Sequence, residues 1–64
     1  MENISIVWNN AVSEVGGQNN TFDNFLKVQE RFIKIAREKG ISETEIQKEC
    51  KENYEATQDF FIEV

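Results

Sequence analysis

The chain has 64 residues, 39% of them hydrophobic and 30% charged, with a formal net charge of −5, one cysteine and no histidine. A chain this short buries only about 60% of the surface its unfolded form exposes, which describes one thin-cored domain of marginal stability. The residue counts exclude an internal disulfide, a Cys/His zinc site and histidine-activated nucleophilic catalysis, and they leave oligomerisation as the available source of extra stability.

The first predicted element is a helix over about 4–15. Ile4, Val7, Trp8, Ala11, Val12 and Val15 recur at helical spacing, within an arc of about 140°, and Ile6 falls outside it. A short strand at Ile4–Trp8 is the competing reading, because β-branched residues cluster there. Gly16 and Gly17, followed by Gln18, Asn19 and Asn20, read as a helix stop and a loop.

A second helix is predicted over about 21–39, capped by Asn20 or Thr21, with Asp23 placed to complement the helix dipole. Phe22, Phe25, Leu26, Val28, Phe32, Ile33, Ile35 and Ala36 cover roughly half its circumference, wider than the arc of about 100° that packing on one neighbour requires. This width makes it the central helix. Lys27, Glu30, Arg31, Lys34 and Glu38 take the opposite face, and Lys39-Gly40 reads as a basic last turn with a glycine at C′.

The third helix is predicted over about 43–62. It opens on Ser42-Glu43-Thr44-Glu45, a capping box in which the Ser42 hydroxyl and the Glu45 carboxylate each satisfy a backbone N–H. Ile46, Cys50, Tyr54, Thr57, Phe61 and Val64 follow as one stripe, with Phe60 at its flank. On this stripe Cys50 reads as a small core residue, and Trp8 and Tyr54 read as packing anchors. The fold expected is all-α: a single domain, residues 1–64, forming a small three-helix bundle on a long antiparallel hairpin, with a homodimer completing the cover of its apolar surface.

Within the stretch IAREKGISETEI, residues 35–46, the positions of Ile35, Ala36, Gly40, Ile41 and Ile46 resemble a DNA-binding helix-turn-helix motif. That resemblance implies a recognition helix presenting Glu43, Thr44, Gln47, Lys48 and Lys51, accompanied by Glu45 and Glu49. DNA affinity rests largely on Lys and Arg neutralising phosphates, so the charge argues against nucleic acid.

The charge is also unevenly placed. Residues 1–40 hold five acids and five bases, whereas residues 41–64 hold seven acids against Lys48 and Lys51. Glu45, Glu49, Glu52, Asp59 and Glu63 project within about 80° of one another, with Glu55 alongside, opposite the apolar stripe. This acidic ridge is the expected contact for a protein partner with a basic surface, including a partner that normally binds nucleic acid. Phe25, Phe32, Phe60, Phe61 and Ile62 are the expected apolar contacts with a partner or a second copy. No cofactor, metal or catalytic residue is expected. The function expected is a non-enzymatic modulator or inhibitor of a larger protein, of the kind that phages, other mobile elements and bacteria encode as short stand-alone genes; the alternative is a helix-turn-helix transcriptional regulator. No segment approaches the roughly 18 consecutive apolar residues of a membrane span, and the N-terminus, with Glu2 and no basic start, does not resemble a secretory signal, so the expected location is cytoplasmic.

Overall fold

The computed structural model describes residues 3–16 and 21–61. They form three helices, α1 (Ile4–Val15), α2 (Phe22–Glu38) and α3 (Glu43–Thr57), then a short 3₁₀ turn (Gln58–Phe60). No strand occurs among the described residues.

Helix wins over strand at Ile4–Trp8 because the helical period, not the alternating one, puts apolar side chains where they can be covered. Val7, Trp8 and Ala11 are buried, and Ile6, the residue a strand would need inside, is exposed. Asn3 caps the helix, its Oδ1 accepting the Ser5 N–H at 2.9 Å. Gly16 ends it with a left-handed φ of 69°.

In α2 the Thr21 hydroxyl accepts the Asn24 N–H at 3.1 Å, which identifies Thr21 as the cap. The helix stops in a Schellman motif: the Ile41 N–H donates to the Ala36 carbonyl and the Gly40 N–H to that of Arg37, both at 3.0 Å. Gly40 carries the left-handed φ of 78° that this closure demands.

Ser42 then starts α3, its hydroxyl accepting the Glu45 N–H at 3.3 Å. The reciprocal half of the capping box does not form, and the Glu45 side chain stays exposed. The turn is braced instead by Arg37, whose Nε donates to Glu43 Oε1 at 2.7 Å and whose Nη2 donates to Oε2 at 3.4 Å.

The α-helical part of α3 is shorter than the expected span of about 43–62. Its later inner face is polar: Asn53 Nδ2 donates to the Glu49 carbonyl at 2.8 Å, and Thr57 Oγ1 donates to the Asn53 carbonyl at 2.7 Å. Such back-bonding competes with helix propagation. The chain tightens into the 3₁₀ turn and becomes extended at Phe61, with φ −67° and ψ 130°.

The core is built from Val7, Trp8, Ala11, Phe25, Val28, Phe32, Ala36, Ile46 and Cys50. Trp8 is its hub, with its ring centroid 5.0 Å from that of Phe32 and 5.6 Å from that of Phe25. The closest helix pair is α1 with α2, not α2 with α3. Ala11, fully buried and with no side chain beyond Cβ, lets α1 and α2 approach closely. Where α2 begins and α3 ends, Phe25 meets Tyr54 at 5.9 Å and Phe61 at 5.5 Å.

Candidate functional site

The expected acidic ridge divides when its residues are placed on the fold. Glu45, Glu52 and Asp59 are exposed, and none joins an ion pair with another described residue. Exposed Glu55 faces Lys51 at 3.9 Å. Glu63 lies outside the described residues.

Glu49 departs from the expectation that it stands opposite the apolar stripe. It is only 9% exposed, because the core-facing side of α3 is centred between Ile46 and Asn53 and so takes in position 49. Asn53 Nδ2 satisfies its carboxylate, donating to Oε2 at 2.9 Å. Beside it, Cys50 is buried, and its thiol is pushed above the ordinary value of 9.0, first by burial and then by the Glu49 charge. That thiol suits packing and is poorly suited to nucleophilic work.

Glu45, Glu49 and Glu52 border a cleft of about 690 Å³ whose apolar contributions come from Ile4 at the start of α1 and Ile41 in the α2–α3 turn. The cleft lies between the start of α1, the α2–α3 turn and α3. Its rim also includes Lys48, so the carboxylates are not a uniform wall.

The expected apolar contacts divide as well. Phe32 is fully buried and Phe25 nearly so, which corrects their assignment as contacts with another chain: both rings are consumed by Trp8 within the core. Phe60 is exposed, Phe61 is half-buried against the core, and Ile62 lies outside the described residues. In their place the fold exposes Phe22, Leu26 and Tyr54. Phe22 touches Tyr54 edge-on at 6.4 Å and Phe61 at 5.7 Å, and Tyr54 lies 6.1 Å from Phe61. The wide apolar arc of α2 already signalled this surface, since its outer edge exceeds what α1 and α3 can cover.

The α2–α3 turn reproduces the core positions of a helix-turn-helix: Ala36 and Ile46 are buried, Ile41 packs against the core and Gly40 is left-handed. Arg37 beside it is held more firmly protonated by the Glu43 carboxylate, through the hydrogen bond and then through charge.

Among the described residues no group of three or more His, Cys, Asp or Glu is placed to hold a metal ion, and no helix is long and apolar enough to cross a membrane. No protein-family model, curated protein or solved structure matches the chain.

Proposed function

We propose that the chain is a non-enzymatic protein-binding module that modulates or inhibits a larger protein by presenting the carboxylates of α3 to a basic surface. The supporting observation is the group of exposed acids along α3 and the turn that follows it: Glu45, Glu52 and Asp59 have no ion-pair partner among the described residues. Unpaired carboxylates carried by α3 and the 3₁₀ turn that follows it raise the encounter rate with a cationic patch and select for it. In this reading the α2–α3 hairpin is the scaffold, and the module works as a homodimer in the cytoplasm.

Glu45 and Glu52 are the residues to reverse. A variant carrying Glu45→Lys and Glu52→Lys keeps its helical circular-dichroism spectrum and loses the salt-eluted partner that the native chain retains on a column. Equal retention by both chains would reject the carboxylate contact.

The turn geometry favours one second reading, a helix-turn-helix regulator. Mobility-shift assays at low salt separate the two. Retarded duplex DNA would favour the regulator, and unretarded DNA together with salt-sensitive protein capture would favour the module.

A further inference from the structure

We infer that the cleft between Ile4, Ile41 and α3 is a pocket for one arginine side chain of the basic partner, its aliphatic stem lying against the two isoleucines and its guanidinium meeting Glu49. This deepens the reading above, on which it rests, by naming the group that is recognised and the residue that recognises it.

The buried carboxylate carries the inference. Glu49 is only 9% exposed, yet its carboxylate is half used: Asn53 Nδ2 donates to Oε2 at 2.9 Å, whereas Oε1 has no hydrogen bond or ion pair with another described residue. Among the described residues no side-chain oxygen is both sealed from solvent and unbonded. Oε1 therefore opens outward, and the opening that Glu49 borders is the cleft. A carboxylate withdrawn from most of its water, with an acceptor turned to a cavity, is a site that lacks its donor. Asn53 already holds it in place, so an incoming cation meets a fixed acceptor.

The rest of the lining decides the kind of cation. Glu45, Glu49 and Glu52 share one side of α3 at i, i+4 and i+7, but no three acids among the described residues are placed to close on a metal ion. Ile4 and Ile41 add apolar wall, which an alkyl stem covers while its charged head reaches the carboxylates. The volume of about 690 Å³ is ample for one side chain. Guanidinium suits the site better than ammonium: it is more weakly hydrated, and its planar fork can hold Glu49 and a carboxylate one turn away together. Lys39 and Lys48 also border the cleft, two ammonium groups against three carboxylates, so selection rests on the fixed acceptor and not on summed charge. A second copy of the chain is a poor source of the cation, because Arg31 and Arg37, its only arginines, are engaged by Glu14 and Glu43.

The test is a titration of the full, isotope-labelled chain with Nα-acetyl-arginine methylamide, followed by amide NMR shifts, beside the corresponding lysine and citrulline compounds. Saturable shifts are expected at Ile4, Ile41 and Glu49, with a Kd on the order of 1 mM for so small a ligand. The lysine compound should bind more weakly and the uncharged citrulline compound not at all. Glu49→Gln, which keeps an oxygen for Asn53, should weaken arginine binding about tenfold with an unchanged circular-dichroism spectrum. Glu55→Gln, at an exposed acid outside the cleft, should bind as the native chain does. Shifts as strong at Glu55 and Asp59 as at Ile41, or equal binding of the citrulline compound, would overturn the pocket on the native chain alone, whether or not Glu49→Gln folds. Equal loss in Glu49→Gln and Glu55→Gln would overturn it too, and a lysine compound that binds as tightly would overturn the choice of guanidinium. Each of these failures leaves the basic-partner reading standing as long as the Glu45→Lys, Glu52→Lys variant loses the salt-eluted protein; retention by that variant overturns the reading and, with it, the partner assigned to the pocket.

Discussion

Asn53 holds Glu49 twice, its Nδ2 lying 2.8 Å from the backbone carbonyl and 2.9 Å from carboxylate Oε2. The contact explains how a glutamate can sit against Ile46 and Cys50 in a 64-residue domain. Asn53→Ala leaves the buried carboxylate without its side-chain donor and should cost about 1–3 kcal/mol. Urea denaturation checks this; a loss below about 0.3 kcal/mol would show that water replaces the amide freely.

Trp8 should be the least replaceable side chain. It is 7% exposed and contacts Phe25 and Phe32, and nothing else ties α1 to the aromatic centre of α2 as broadly. Phe or Trp truncation to alanine in a core typically costs about 3–5 kcal/mol, comparable with the whole stability expected at about 0.05–0.15 kcal/mol per residue. Trp8→Ala is therefore expected to be largely unfolded at 25 °C by circular dichroism. A cooperative melt near that of the native chain would contradict the placement of α1.

Gly40 tests the turn. No atom lies within 4 Å of where a Cβ would project, so the constraint is the left-handed φ of 78° and not space. Gly40→Ala should cost about 1–2 kcal/mol, which in a domain of this size lowers Tm by about 4–8 °C per kcal/mol. Gly40→Asn should cost less, because asparagine tolerates that region.

Cys50 should resist alkylation in the native state and react quickly in denaturant. Its raised thiol value also sets the sign of a pH effect. The folded chain keeps a proton that the unfolded chain releases near the ordinary value of 9.0, so this contribution to stability is complete below that pH and is lost as the pH rises past it. Denaturation midpoints of the native chain should fall more steeply above pH 9 than those of Cys50→Ala. Parallel curves would remove the thiol as the cause.

Helix starts and stops were legible because single residues carry them: Thr21 and Ser42 accept backbone N–H groups, and Gly16 and Gly40 adopt left-handed backbone. The outer direction of a side chain was less so. Helical spacing groups residues by angle but does not say which angle faces the core. Angle alone therefore puts Glu49 on the solvent side and Phe25 and Phe32 at an interface, whereas packing against neighbouring helices buries all three. The end of α3 was hidden for a different reason. Asn53 and Thr57 look like ordinary polar positions until their side chains bond back to the preceding turn, and Phe61 leaves the helix to rest on Phe25. The wide apolar arc of α2 announces that part of it stays uncovered, but which residues, Phe22 and Leu26 beside Tyr54, depends on how far α1 and α3 reach around α2.

The most direct measurement of the central proposal is a paired capture experiment on lysate of the cell that makes the protein, with native chain and the Glu45→Lys, Glu52→Lys variant immobilised at equal density. The account predicts a basic protein that binds the native chain, elutes with rising salt and is lost from the variant, while both columns hold folded helical protein. The same protein on both columns, or release that does not respond to salt, would contradict it.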